Sequence, residues 1–480
     1  MLERRRARTR ILVTLGPATG SRARIRELVK AGADAFRLNM SHGDLALQRK
    51  WARLVQSARR EFQRPVSLMV DLRGPRIRLG SLPEPRLLRR GEPIVVVAGR
   101  RARGAELPVD YSRLLRDVQA GHRILVRDGR VELKVLRRQG AKLLCRVMRG
   151  DLVDSNQGVN LPDSAISAPA ISAKDRADVR FAASVRADWI ALSFVRSADD
   201  VRALRRELTR LGSSIPVVAK IEHPRALEHL PEILEEADAV MIARGDLAVE
   251  VGHAVVPTLQ KRIVRACLQK ATPVIVATQM LESMLEAAQP TRAEVSDVAN
   301  AVLDGVDAVM LSGETAVGKY PIEATRTMRK IIEETEKGLF HDTWRLRPSL
   351  HPEGKRGQVL ESATVDSAVT LAQRAQARVL LAFTESGRSV RLVSAFRARL
   401  PIVALTSRES TFHRMALYWG VMPGRLPRVK RLREMNREGQ RLLREHRLLS
   451  DEDLLVVITG TFAVSGATNT VRLIRLANLT

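Results

Sequence analysis

Eight short apolar runs, each followed by an amphipathic helical pattern, limit this chain to very few folds: Ile11 to Leu15, Ala35 to Leu38, Val66 to Asp71, Trp189 to Phe194, Val217 to Lys220, Ala239 to Ala243, Pro273 to Thr278 and Asp307 to Ser312. Runs this uniformly aliphatic suit parallel strands covered on both faces, and eight strand–helix repeats predict a (β/α)8 TIM barrel whose site lies at the carboxyl ends of the strands. One interruption follows Asp71, where IVVVAG, RILVRDGRVELKVLRR and KLLCRVMRG read as alternating strands with turns at Asp128-Gly129 and Gln139-Gly140. The expected organisation is therefore barrel over 1–73, an inserted all-β lid over 74–167, and barrel again over 168–337. Periodicity then fades over 338–358, as in a linker, before a C-terminal α/β domain over 359–480. Its expected strands are Arg378 to Thr384, Pro401 to Thr406, Leu454 to Gly460 and Val471 to Ala477, with a basic helix near Lys430 to Arg447.

At 480 residues two or three domains are expected, and aromatics at only 3% favour aliphatic α/β layers over a β-sandwich. The net charge of +28 allows two readings, nucleic-acid binding or an arginine-rich composition serving polyanionic substrates. The excess is spread along the chain without RNA-binding aromatics or zinc-finger spacing, so no dedicated nucleic-acid partner is expected. Cys145 and Cys267 are too few for a disulfide framework, no apolar run is long enough for a membrane, and MLERRRARTR lacks the apolar core of a signal peptide. A cytoplasmic protein is the expectation.

The strand ends carry the chemistry. VVAKIE ends on Lys220 and Glu222, and VMIARGD ends on Arg244, Gly245 and Asp246. Adjacent barrel strands bring such ends to one rim, where two carboxylates can hold magnesium against phosphate oxygens while a lysine supplies a mobile charge to a phosphoryl group. Arg37, Asn39, Ser41 and His42 in FRLNMSHG, Asp71 in VDLRGPRIR, Ser193, Phe194 and Arg196, and Thr278 with Gln279 end other strands. Any one of these suits a cap or loop; on nearly every strand, they point to a shared site. GETAVGKY fits phosphate-loop spacing up to Tyr320, which stands where a Ser or Thr should bind magnesium, and is set aside. TRAE at Thr291 to Glu294 reads as a helix-starting capping box.

Taken in order, TRILVTLGPAT, FRLNMSHG, VDLRGPRIR, GVNLP, ALSFVR, VAKIE, IARGDLAVE, VATQMLESM, PTRAEVSDVANAVLDG and MLSGETAVGKYP resemble the pyruvate kinases over almost the whole chain. The resemblance implies phosphoryl transfer from phosphoenolpyruvate to ADP, giving pyruvate and ATP, by a Mg2+-dependent homotetramer, with Mn2+ as an alternative ion. It implies that Lys220 stabilises the transferring phosphoryl group, Glu222 and Asp246 ligate the metal, and Gly245 and Asp246 hold the substrate carboxylate through their amides. Arg37 would grip the substrate phosphate and Thr278 stand at the enolate methylene. Arg78, with Asn39 and His42, is expected at the nucleotide.

Departures from the family pattern carry further expectations. Asn39, Ser41 and Asp71 match the potassium site of many relatives, but its Thr position is Leu72 and a nearby Glu position is Arg76, so an enzyme independent of K+ is expected. Gln157 stands where many relatives carry a nucleotide-contacting lysine. Thr384, Glu385, Ser386, Gly387, Arg388 and Ser389 resemble the effector phosphate loop, while Phe462 replaces an arginine that grips a second phosphate in some relatives. AMP or a sugar monophosphate is thus the expected effector, ahead of a sugar bisphosphate. A regulatory or nucleic-acid protein on a dead kinase scaffold would be suggested by loss of Lys220, Glu222 or Asp246; all three are present.

Overall fold

The computed structural model describes residues 7–101, 104–341, 356–427, 432–460 and 468–479. Eight parallel strands close into a barrel: β1 (Arg10–Thr14), β2 (Ala35–Asn39), β3 (Ser67–Asp71), β4 (Trp189–Leu192), β5 (Val217–Ile221), β6 (Ala239–Ala243), β7 (Val274–Ala277) and β8 (Ala308–Leu311). Each pairs with its neighbours in chain order, and β1 closes on β8 through Arg10 to Ala308 and the next three pairs. One set of alternating side chains, including Val13, Phe36, Leu38, Val217 and Ile242, packs outward against the helices. The other, including Leu12, Met69, Trp189, Val218 and Met310, fills the barrel.

The strands at β4 and β7 end earlier than the apolar runs suggest. Phe194 (φ 54°), Thr278 (φ 68°) and Gln279 (φ 55°) adopt left-handed backbone, which breaks the ladder and turns the chain across the rim. Residues with side chains rarely accept this, at about 1–3 kcal/mol each, and such strain concentrates at functional sites.

At the opposite end one device recurs four times. Asp34, Asp188, Asp238 and Asp307 immediately precede β2, β4, β6 and β8, and each accepts an amide at the first or second residue of the strand before: Ile11 at 3.0 Å, Leu68 at 2.8 Å, Val217 at 2.8 Å and Val274 at 3.0 Å. Each also meets an arginine: Arg10, Arg59, Arg205 and Arg397 respectively. The acid satisfies a strand-start donor that lies beyond the ladder, and the guanidinium offsets the charge thereby brought in.

Between β3 and β4 lies a six-stranded sheet in the order Val159–Asn160, Arg123–Val126, Val131–Gln139, Lys142–Arg149, Pro93–Ala98, Leu107–Val109. It is antiparallel except at the last pair. Its core, including Ile94, Val96, Leu133, Val135 and Cys145, is its own. The chain enters it through Gly74 (φ 70°), whose amide donates to Asp175 Oδ1 at 3.1 Å. The two expected turns fall on left-handed residues, Asp128 with Gly129 and Gly140.

A five-stranded sheet forms the C-terminal unit, with β9 (Val379–Phe383), β10 (Ile402–Thr406), β11 (Val421–Arg425), β12 (Leu454–Gly460) and β13 (Thr468–Arg475) in the order β11-β10-β9-β12-β13. The sequence reading missed β11, whose VMPGR carries two strand-breaking residues, and placed β13 three residues late. Helix Pro321–His341 and helix Arg356–Arg374 enter the expected 338–358 linker from both sides; residues 342–355 lie outside the described residues. This unit seals the amino end of the barrel. Trp189 packs edge-on against Tyr418 at 6.2 Å, Arg10 donates to the carbonyls of Tyr418 and Val421, and Arg397 reaches Gly305 O at 2.7 Å.

Candidate active site

The carboxyl rim gathers the charges of β2, β3, β5 and β6. Lys220, buried near the end of β5, sends Nζ to Glu222 Oε1 at 2.8 Å, to Asp71 Oδ2 at 3.5 Å and to Ser193 Oγ at 2.8 Å. The Ser193 hydroxyl donates onward to Leu72 O at 2.8 Å. Lys220 and Glu222 stand two residues apart on an extended backbone, which aims both side chains to one side. Burial alone would lower the lysine pKa, but the charges of Asp71 and Glu222 more than reverse this and raise it. The ammonium is therefore permanently charged in a water-poor site.

Glu222 is buried and pushed up, first by burial and then by the neighbouring Asp246 charge, with Lys220 pulling the other way. Its second oxygen accepts the Phe194 amide at 2.7 Å, a bond available because the left-handed turn at Phe194 directs that amide into the site. Asp246 lies half-buried in the first turn of helix Arg244–Val251, and among the described residues no hydrogen bond or ion pair engages its carboxylate. Two carboxylates that repel each other, one of them unengaged, fit a hard divalent cation. No group of three or more metal-ligating side chains occurs among the described residues, so such an ion would complete its shell with substrate oxygens and water, as magnesium does.

Arg37 is oriented before any ligand arrives. Its Nε donates to Asp71 Oδ2 at 2.6 Å and its Nη1 to Thr14 Oγ1 at 3.2 Å, leaving the rest of the fork for an anion. Asp71 is fully buried; burial would raise its pKa, but Lys220 and Arg37 together hold it low. Among the described residues its Oδ1 has no hydrogen-bond partner. Across the rim, Thr278 Oγ1 accepts the Gly245 amide at 2.9 Å and donates to Ala277 O at 2.6 Å. The buried Arg244 fixes the strained turn by donating to Thr278 O and Gln279 O while pairing with Asp297 at 2.7 Å.

A second cluster is cationic. His42 is exposed, and its pKa is lowered by what burial it has and then by Arg76, Arg37, Arg78 and Arg73, which places these guanidiniums around it. Arg78 donates to Asn156 O at 3.0 Å, and among the described residues its buried Nε and the Gln157 Oε1 have no hydrogen-bond partner. Asn39 Oδ1 accepts the Ser41 amide at 3.1 Å, so Asn39 caps its own turn. The Leu72 side chain is buried in the barrel wall, so its backbone carbonyl is what it offers the rim. Arg76 is exposed and forms no ion pair among the described residues.

Thr384 Oγ1 accepts the Gly387 amide at 2.9 Å, Arg388 pairs with Glu361 at 2.9 Å, and Ser389 Oγ meets Thr468 Oγ1 at 2.5 Å. Glu385 accepts from Ser407 at 2.9 Å and Arg408 at 3.0 Å. This loop belongs to the C-terminal unit, apart from the rim; Phe462 lies outside the described residues. In GETAVGKY, Glu314 is buried and accepts the amides of Leu281 and Ser312, a structural role. The capping box at Thr291 and Glu294 forms as expected.

Sequence reading missed four participants. Phe194 was named as a strand-end residue but not for its amide, the Thr14 hydroxyl gave no signal beyond its place at a strand end, and Arg73 was hidden in a charged run. The fourth is a contact from the inserted sheet: Asn160 Nδ2 donates to Glu250 Oε1 at 2.7 Å, one helical turn beyond Asp246. Burial raises the Glu250 pKa to about 7, and its other oxygen faces the buried His223 Nε2 at 3.9 Å.

The family described as "Pyruvate kinase, barrel domain" matches residues 6–325, and "Pyruvate kinase, alpha/beta domain" matches residues 362–474. The chain belongs to the pyruvate kinase family. Proteins named pyruvate kinase are similar to it along their whole length: one from Corynebacterium glutamicum is 42% identical over 96% of both chains, one from Mycobacterium tuberculosis 40% over 98% of both, and one from Agrobacterium vitis 38% over 99% of this chain and 98% of its own. Pyruvate kinases are phosphotransferases that move the phosphoryl group of phosphoenolpyruvate to ADP, and the family uses a divalent metal. No helix among the described residues is long and apolar enough to cross a membrane.

Proposed function

We propose that this chain transfers the phosphoryl group of phosphoenolpyruvate to ADP at the rim formed by Lys220, Glu222, Asp246, Arg37 and Thr278, with Mg2+ or Mn2+ between the two carboxylates and no monovalent cation. The observation that carries this reading is the buried Lys220–Glu222 pair at 2.8 Å with the Asp246 charge beside it. A divalent ion held by Glu222 and Asp246 would supply charge neutralisation for the substrate oxygens. Lys220, desolvated and charged, stabilises the phosphoryl oxygens as the bond to the enol oxygen breaks and the bond to the ADP oxygen forms. Arg37, clamped by Asp71 and Thr14, fixes the substrate phosphate and spends little entropy in doing so.

The amides of Gly245 and Asp246, at a helix start, hold the substrate carboxylate, with Gly245 exchanging its bond to Thr278 for one to the ligand. The enolate left behind takes a proton at its methylene carbon. Thr278 positions or relays that proton, since a hydroxyl is too weak an acid to supply it alone. Arg78, with Arg73, Arg76, Asn39 and His42 near it, meets the ADP phosphates. The inserted sheet acts as a lid over them. Arg76 replaces a potassium ion with a fixed charge.

A lactate dehydrogenase-coupled assay tests this reading. Turnover should require ADP, phosphoenolpyruvate and divalent metal, and should change less than about twofold between potassium and tetramethylammonium. No turnover with metal present would overturn the reaction; strong potassium dependence would overturn the role of Arg76. We further propose a cytoplasmic homotetramer, checked by light scattering. AMP or a sugar monophosphate acts at Thr384–Ser389, where the Glu385 carboxylate disfavours a second phosphate. Activation by fructose 1,6-bisphosphate alone, at subsaturating phosphoenolpyruvate, would contradict that assignment.

A further inference from the structure

A cavity of about 330 Å³ lies where the helix Leu45–Phe62 of the barrel meets the C-terminal unit. We propose that it binds a phosphomonoester dianion carrying a small, flat apolar body, at a site separate from both the rim and the 384–389 loop.

The walls supply each part of such a ligand. Arg59 and Arg60 come from the last turn of the barrel helix, Arg425 from the end of β11, Phe412 and His413 from helix Glu409–Arg414, and Leu442 from helix Leu432–Glu445. Arg59 is committed, since its guanidinium pairs with the buried Asp188. Arg60 has no ion pair or side-chain hydrogen bond among the described residues. Among the described residues Arg425 has only Glu409, at 3.8 Å, and that side chain is 70% exposed. Two uncommitted guanidiniums therefore line the cavity, with one loosely held, solvated acid beside Arg425, which favours a doubly charged anion over a neutral or cationic ligand.

His413 adds direction. Its Nδ1 accepts the Val66 amide at 3.3 Å, which puts the proton of the neutral ring on Nε2, on the Glu409 side. The site thus offers a neutral donor as well as two charges. Phe412, edge-on to the His413 ring at 5.1 Å, and Leu442 give an apolar wall for the ligand body. None of the 384–389 residues lines the cavity. Because the walls come from both the barrel and the C-terminal unit, an occupant ties the two together.

Phenyl phosphate combines the required charge with a flat ring and serves as the probe, titrated calorimetrically into the full-length protein without substrates, so the result does not depend on turnover. Saturable binding is expected, weakened at least about tenfold in Arg60→Gln/Arg425→Gln, which removes two charge-assisted contacts, either of which alone is worth about that factor. Both positions are exposed, so the thermal midpoint of the variant should match the parent. Ser386→Ala should bind as the parent does, and phenol should not bind. Equal affinity in the double variant, loss of binding in Ser386→Ala, or no binding at millimolar phenyl phosphate would each overturn the proposal.

Discussion

At the carboxyl end of the barrel, buried charges are crowded and left partly unsatisfied, whereas at the amino end each is closed into a pair. Around Lys220 two carboxylates compete for one ammonium, Asp71 keeps an oxygen without a hydrogen-bond partner among the described residues, and the backbone at Phe194 and Thr278 is strained. Around Asp34, Asp188, Asp238 and Asp307 each carboxylate has a strand amide and an arginine. The same residue types thus do opposite work. Unsatisfied groups on a rigid wall are ready to take a metal and a phosphate, and paired groups fix the strand starts, with Asp307 also tying the wall to Arg397 of the C-terminal unit.

Substitutions at the two ends should therefore separate activity from stability. The largest effect is expected for Lys220→Met, which should lower the kcat of the folded protein by about 10³-fold or more. A stable variant that keeps a tenth of the activity would break the contrast at the rim. Asp307→Ala should do the reverse. It leaves the buried Arg397 without its counter-charge, at about 3–5 kcal/mol in denaturant unfolding, with kcat of the folded protein little changed.

A third prediction concerns pH at the sealed end. Burial, followed by Arg59 and Arg425, lowers the His413 pKa to about 2, below its unfolded value of 6.5. Above that unfolded value both states are neutral and the group contributes nothing. Below it the unfolded chain gains a proton that the native chain refuses, so stability falls with acidification. Between pH 6.5 and 5 the loss should be about 2 kcal/mol, and His413→Gln should remove that part of the slope. Identical slopes in parent and variant would contradict the buried neutral ring.

The smallest effect is expected for Asn160→Ala. It removes the contact between the inserted sheet and Glu250 and should raise the KM for ADP about two- to tenfold with kcat changed less. An unchanged KM would show that this contact does not hold the lid.

Much of this contrast was legible in the sequence, and the rest was hidden for physical reasons. Aliphatic runs fixed the eight strands because parallel strands are buried on both faces, and polar residues at their ends marked the rim. The left-handed turns at Phe194 and Thr278 were not legible, since nothing in a non-glycine residue announces positive φ; Arg244 and tertiary contacts impose it. The four aspartates were legible and unread: GAD, RAD, EAD and GVD precede β2, β4, β6 and β8. Strand β11 was obscured by Pro423 and Gly424, which sheets tolerate where, as here, the strand lies at an edge.

The central claim is that Glu222 and Asp246 share one divalent ion beside Lys220. Anomalous scattering from crystals grown with Mn2+ tests it directly. The account predicts one strong peak with oxygens of both carboxylates about 2.0–2.2 Å away and the Lys220 ammonium adjacent to its shell. A peak bound by only one of the two, or placed elsewhere, would contradict it.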